Sequence, residues 1–300
     1  TRGFYVMKDL KSPLRYPGGK SRATNFLFDS CNMPVGNISA YREPFLGGGS
    51  CAFAFTKMHP KTPVWVNDKY YNLYCFWVTL RDEGEKLANK LHDVKDELSN
   101  SSDPLQAHLD YYKVMREGLK NADNEFDIAW QFYIMNRCSF SGLGEGSGSF
   151  SKDASINLFN HNLISRLSKF SVLMKDWKIT NYDYSELFDE DEDTFVFADP
   201  PYDIESFIYG NNGDMHSSFD HKEFHDCVDS SKNMIMITYN SKDTLKTAYS
   251  NWTNIEWDLT YTMVSTKNYR ENEHKKKELL LLNYETPEKP TLDQFFDAGT

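Results

Sequence analysis

The chain has 300 residues, 40% of them hydrophobic and 15% aromatic, enough for one large domain or for one domain that carries an insertion. Its apolar runs all fall short of the roughly 20 residues of a membrane-spanning helix, and its first residues lack the charged-then-apolar order of a signal peptide, so no membrane partner is expected. A formal charge of −11 argues mildly against a polyanionic partner without excluding one, because nucleic-acid affinity depends on where Lys and Arg are concentrated.

In chain order, the first punctuation is Tyr16-Pro17-Gly18-Gly19, a turn signal in any protein, with Lys20 directly behind it. Ile38 to Phe45 reads as a strand, Leu46-Gly47-Gly48-Gly49-Ser50 as a turn, and Cys51-Ala52-Phe53-Ala54-Phe55 as the start of a helix. A second strand, Val64 to Asn67, ends at Asp68. Strand, glycine turn, helix, strand and acid make the first half of a nucleotide-binding α/β unit. In such a unit glycine lets backbone approach a ligand, and the acid can accept both hydrogen bonds of a ribose diol.

The stretch from Asp68 to Phe195 far exceeds the roughly 30 residues of a plain βαβ unit. Its excess follows helical spacing at Leu105, Leu109, Tyr112, Met115 and Leu119, and again at Phe126, Ala129, Trp130, Tyr133, Ile134 and Arg137. Ser139 to Ser149 is too rich in glycine for a regular element, so residues 76–178 read as a helical insertion carrying an irregular loop or hairpin. Asp189 to Asp193 reads as a solvated acidic loop.

Phe195 to Ala198 is a short apolar strand of the kind buried on both faces of a parallel sheet. It stops at Asp199, and Pro200, Pro201 and Tyr202 follow as a stiff extended peptide. Asp220 is placed to cap a helix, with Glu223 three residues on and Phe219 and Phe224 in the two positions of a hydrophobic staple. Met234 to Thr238 is a further buried strand. Ile255 to Val264 and Glu278 to Tyr284 form a strand pair joined by the polar stretch Lys267 to Lys277, and the tail beyond Tyr284 is a loosely held extension. The two ends of the chain thus build an open, mostly parallel sheet.

Five scattered cysteines (Cys31, Cys51, Cys75, Cys138 and Cys227) form no CxxC pair and fit reduced cytosolic thiols. His161, His216, His221 and His225 show no metal-binding spacing.

Ligands of open α/β sheets bind beyond the carboxyl ends of the strands, where Gly47, Asp68 and Asp199 all fall. A rigid peptide offering a carboxylate and a carbonyl can accept both N–H bonds of one planar amino group while Tyr202 stacks on the ring that bears it. Such a nitrogen is a poor nucleophile because its lone pair is delocalised. Fixing both hydrogens in acceptors pulls it toward sp³ and aims the pair at an electrophile.

Arg15-Tyr16-Pro17-Gly18-Gly19-Lys20, Glu43-Pro44-Phe45-Leu46-Gly47-Gly48-Gly49-Ser50, Asn67-Asp68, an insertion, and Asp199-Pro200-Pro201-Tyr202 follow one another in this order. In this the chain resembles the Dam-type DNA adenine-N6 methyltransferases, which use S-adenosylmethionine. The resemblance runs from about Pro13 to Tyr284. Weaker echoes are Asn136-Arg137 with Ser141-Gly142-Leu143, Asp220-His221, and Lys277-Glu278-Leu279-Leu280.

The resemblance implies an α/β fold: a Rossmann-like class I methyltransferase sheet with an inserted, mainly helical target-recognition domain. The cofactor-binding catalytic domain would comprise 1–75 and 179–285, the insertion 76–178 and a C-terminal tail 286–300. Tyr16 and Lys20 would close over the cofactor, with Lys20 near its carboxylate. Phe45 and Gly47 would line the methionine side, Asp68 would hold the ribose, and Glu43, Gly49 and Asp199 would complete the set. Asp199 and the Pro200 carbonyl would receive the adenine amino group and Tyr202 would stack on the base. Methyl transfer would then proceed by in-line displacement, driven by proximity and leaving S-adenosyl-L-homocysteine. No metal is implied.

The adenine lies inside the duplex, so it must be turned out of the stack. The insertion would then read neighbouring bases, with Arg137 and Ser141 as contacts. Lys267 and Arg270, in the dense basic stretch with His274 and Lys275 to Lys277, would touch phosphates. The loop from Gly144 to Ser149 brings one acid and no positive charge where the family has aromatic, asparagine and basic residues, so the family's GATC target is not carried over. Double-stranded DNA is the expected partner and a cognate restriction endonuclease a candidate one. A monomer in the cytoplasm of a bacterial or phage-infected cell is expected. Alternative readings are a DNA-binding regulator on this fold without catalysis, and methylation of RNA adenine or of a protein glutamine amide. A dinucleotide-dependent dehydrogenase is the weakest, for no G-x-G-x-x-G turn follows the first strand.

Overall fold

The computed structural model describes residues 11–16, 18–142, 149–202, 219–259 and 276–287. Lys267 and Arg270, the glycine-rich loop from Leu143 to Gly148, and most of the tail lie outside the described residues. Seven strands, β1 (Ala40–Glu43), β2 (Val64–Asn67), β3 (Lys178–Thr180), β4 (Thr194–Ala198), β5 (Met234–Asn240), β6 (Thr253–Leu259) and β7 (Lys276–Leu282), form one sheet of order β3-β2-β1-β4-β5-β7-β6. The first five in that order pair in parallel, and β7 runs antiparallel between β5 and β6.

Both faces of the sheet are covered, and strand periodicity shows how. On β4, Phe195 and Phe197 enter one apolar cluster while Val196 and Ala198 enter the other, none of them more than 1% exposed. The first cluster continues into the helical insertion. The second holds Ile235, Ile237 and Tyr239 of β5 with Leu279 and Leu281 of β7.

The helices are α1 (Thr24–Leu27), α2 (Ser50–Met58), α3 (Tyr71–Ser99), α4 (Pro104–Gly118), α5 (Glu125–Cys138), α6 (Lys152–Asn157), α7 (His161–Ser165), α8 (Leu167–Leu173), α9 (His221–Ser230) and α10 (Asp243–Ala248). Asp220 caps α9 as expected, accepting from the N–H groups of Lys222 and Glu223 at 2.9 Å each, and Phe219 meets Phe224 at 5.7 Å between ring centres. No helix among the described residues is long and apolar enough to cross a membrane.

The boundary expected at residue 76 falls inside α3. This helix begins at Tyr71, just past Asp68, and buries Leu73, Cys75, Phe76 and Trp77 in the core it shares with the sheet before it reaches the insertion. A physical break comes later, at Glu83, whose φ of −127° and ψ of 30° interrupt the helix beside Gly84. A Cβ on Gly84 would stand 2.6 Å from the Cβ of Ser171, so α8 crosses tightly there. Strand β3 is also new. Its three residues carry a lysine and a threonine, too short and too polar to announce a strand. The acidic run is a surface turn in which Asp189 pairs with Arg42 at 2.7 Å and Asp191 accepts from the Thr194 hydroxyl at 2.9 Å.

Candidate active site

Sheet order reverses at β1 and β4, whose crossovers lead in opposite directions, so a crevice opens beyond their carboxyl ends. The β1 side is the glycine turn. Gly47 and Gly49 have φ of 49° and 70°, left-handed values that favour glycine, and Gly49 leads directly into α2. A Cβ on Gly47 would lie 2.9 Å from the Tyr16 ring, so the turn and the N-terminal segment are in direct contact. The Trp77 indole donates to the Gly47 carbonyl at 3.1 Å and the Ser12 hydroxyl to that of Gly48 at 2.6 Å.

Asp68 faces the same turn from the end of β2. Its two carboxylate oxygens accept the N–H groups of Gly47 at 2.8 Å and Tyr70 at 2.9 Å, which leaves a lone pair on each for a further donor. Burial pushes its pKa up to about 7, against the lowering effect of the Gly47 N–H. Asn67 braces the position from beneath, donating to the Pro44 carbonyl and accepting from Thr180 and the Tyr182 N–H.

The β4 side centres on Asp199. Lys20 reaches it across the crevice and donates to both carboxylate oxygens at 2.8 Å, and its side chain is 3% exposed. The Tyr202 hydroxyl lies 2.9 Å and the Thr238 hydroxyl 2.7 Å from the same oxygen, Oδ1. Lys20 also donates to the Gly18 carbonyl at 3.1 Å and sits 4.9 Å from the centre of the Tyr202 ring. A carboxylate held by a buried ammonium and two hydroxyls, on a proline-stiffened peptide at a sheet's switch point, is an acceptor with fixed direction.

The profile of the D12 class N6 adenine-specific DNA methyltransferase family matches residues 16–263. The chain belongs to this family. Two curated methyltransferases are similar to it. The type II methyltransferase M.MjaIII of Methanocaldococcus jannaschii is 27% identical over 206 residues, 65% of this chain and 70% of that one. Modification methylase StsI of Streptococcus sanguinis is 24% identical over 213 residues, 68% of this chain but 30% of StsI, so the chain spans under a third of that relative. A solved Listeria monocytogenes protein, assigned provisionally to the class I S-adenosylmethionine-dependent methyltransferases, aligns over 90% of this chain and 61% of its own at 9% identity, with a TM-score of 0.35. The family implies S-adenosylmethionine as cofactor and DNA as substrate.

In this DNA adenine methyltransferase the structure sets Tyr16 against Gly47, Gly47 against Asp68, and Lys20 against Asp199 and Tyr202, while Phe45, Gly49 and Pro200 adjoin them in the chain. Phe45 is half-buried against Tyr184, Phe219 and Phe224, with ring centres 5.6 to 5.7 Å apart. Glu43 is buried next to these site residues. It is 2% exposed and lies beneath the turn, accepting the Tyr41 hydroxyl at 2.7 Å, and burial drives its pKa well above the carboxylate range. Its charge lies close enough to Asp199 and Asp68 for both to add to that rise, so it belongs electrostatically to the same strand ends.

Arg137 departs from its expected place. It is 6% exposed, donates to the Pro13 carbonyl and lies 5.4 Å from the Tyr133 ring centre. Its guanidinium therefore faces the interior, where it binds the chain's own backbone instead of a DNA surface. Asn136 beside it accepts the Arg15 N–H at 3.0 Å and donates to the Arg15 carbonyl at 2.7 Å, while the Arg15 guanidinium donates to the Ser139 carbonyl at 2.6 Å. Asn136-Arg137 thus stitches the insertion to the segment that carries Tyr16 and Lys20. Ser141 lies in a 3₁₀ turn, Phe140–Gly142, whose Phe140 is 59% exposed.

Three contributors escaped sequence reasoning. Thr238 ends an apolar strand and Trp77 lies in an apolar helical run, and nothing local marks the contact each makes. Glu278, 3.0 Å from the Tyr202 hydroxyl, sits in a motif that was visible but carried no role.

Proposed function

We propose that the protein transfers the methyl group of S-adenosylmethionine to N6 of an adenine turned out of duplex DNA, with Asp199 and the Pro200 carbonyl as acceptors of the amino group. The observation that carries this reading is the convergence of Lys20, Tyr202 and Thr238 on Asp199 at the end of β4.

The residues present fit the cofactor. Asp68 keeps one lone pair on each oxygen for a ribose hydroxyl, the left-handed turn at Gly47 brings backbone close, and Lys20 offers an ammonium to a carboxylate. Phe45 and Tyr16 supply apolar walls. When bound, the cofactor supplies an electrophilic methyl group on a sulfonium centre.

The chain's own residues do the rest. Asp199 and the Pro200 carbonyl take the two amino hydrogens and localise the nitrogen lone pair, and the Tyr202 ring carries the base. No strong base is needed, since the amino proton becomes acidic only after the nitrogen is alkylated, and Asp199 is then in reach. Rate comes from holding two reactants in line. The insertion holds the duplex while the adenine is out, and the exposed Phe140 offers a ring on which a neighbouring base can rest. Kinship with a type II methyltransferase favours a fixed target sequence and, with it, a cognate restriction endonuclease in the same cell.

The test is transfer of labelled methyl from S-adenosylmethionine to unmethylated genomic DNA, with structured RNA as the competing acceptor, followed by sequencing for N6-methyladenine. Label in DNA adenine at a recurring sequence is expected. Label confined to RNA, or none in either acceptor, would overturn the reading.

A further inference from the structure

Glu278 lies on β7 opposite Asn240 of β5 and Trp257 of β6, next to the run Leu279 to Leu282. It is 0% exposed. A carboxylate in such surroundings is costly unless its hydrogen bonds are met, and packing alone is served by another leucine. Its Oε2 stands 3.0 Å from the Tyr202 hydroxyl oxygen, which itself stands 2.9 Å from Asp199 Oδ1. A phenol carries one proton and donates to one carboxylate at a time. Oδ1 of Asp199 is crowded, with Lys20, Tyr202 and Thr238 all directed at it.

An amino group that arrives at Oδ1 needs one of these donors to leave that oxygen. Of the donors there, the Tyr202 hydroxyl has a second carboxylate within hydrogen-bond distance and can leave Asp199 without losing its partner. We propose that Glu278 is a positioning residue for methyl transfer. It takes over the Tyr202 hydroxyl when the adenine amino group engages Asp199, and so keeps the phenol ring anchored while Asp199 is released. The proposal rests on the reading of Asp199 as the amino-group acceptor.

The experiment is a double-mutant cycle on the full chain, using unmethylated genomic DNA and S-adenosylmethionine, with wild type, Tyr202→Phe, Glu278→Gln, Glu278→Leu and the two Tyr202→Phe combinations. Folding is checked by circular dichroism and cofactor affinity by calorimetry. Glu278→Leu is expected to lower kcat on the order of tenfold, the size of a lost charge-assisted hydrogen bond, and Glu278→Gln about threefold, with the KM for cofactor unchanged in both. In the Tyr202→Phe background neither substitution should lower kcat further. The same losses in that background, or no loss of kcat with Glu278→Gln, would overturn the proposal. Because Gln keeps shape and packing, its cycle decides the matter if the Leu variant does not fold. A wild-type chain that methylates no DNA would refute the reading of Asp199 itself, and that shows before any variant is compared.

Discussion

Lys20 and Asp199 neutralise one another across the crevice at 2.8 Å, and this pairing sets the sign of two experiments. Asp199→Asn keeps the shape and removes the charge that holds Lys20. Methyl transfer should fall on the order of 100-fold or more, the cost of misplacing a reacting group. Cofactor affinity measured by calorimetry should hold or rise, because Lys20 no longer has a competing carboxylate. Weaker cofactor binding in that variant would show that Asp199 supports the cofactor instead of competing with it for Lys20. Asp68 carries a further prediction, from a pKa raised by burial to about 7. A carboxyl group with a raised pKa is neutral below that value in the folded protein, and a ribose diol binds best to the ionised form. Cofactor affinity should therefore rise as pH goes from about 6 to about 8, across that value. Asp68→Asn should flatten the dependence and weaken binding by about 1.5–3 kcal/mol at the upper end of that range. A titration equally steep in that variant would place the pH sensitivity elsewhere.

At the scale of elements, the most consequential feature is the seam between α5 and residues 13–15. Asn136 meets both the N–H and the carbonyl of Arg15, as one rung of a sheet would. Asn136→Ala leaves two half-buried backbone groups without these partners and should cost about 1–3 kcal/mol in chemical denaturation. It should also weaken cofactor binding, since Tyr16 and Lys20 follow directly in the chain. Intact affinity would mean the seam acts only on stability. These elements also show what the sequence could reveal. The strand ends at Asp68 and Asp199, the capped start of α9 and the helical character of the insertion rest on local signals, and all are present. The extent of α3 and the strand β3 were not legible, because the first is decided by packing against the sheet and the second by pairing with β2. Arg137 is a candidate DNA contact by resemblance, yet it is buried. What buries it is a segment more than a hundred residues away in sequence, which no local pattern reports.

For the molecule as a whole, four motifs in order point to one end of the sheet, because strand ends and glycine turns converge wherever an open sheet reverses direction. Supporting partners such as Thr238 and Glu278 were out of reach, since they meet Asp199 and Tyr202 only through the order of neighbouring strands. A net charge of −11 also means that any grip on DNA must be local. If Lys267 and Arg270 touch phosphates, replacing both by alanine should weaken binding equally across sequences. The slope of log affinity against log salt should fall by about two. A sequence-dependent loss would instead make them readers of bases. Finally, the seam bears on engineering. An insertion invites exchange between relatives, as though it were a cartridge, yet here the cartridge is fastened to the N-terminal segment 13–15 through Asn136, Arg137 and Arg15. A chimera that imports the insertion without its matching residues 13–15 should mis-seat Tyr16 and Lys20, so an exchange requires moving two separated pieces of chain together.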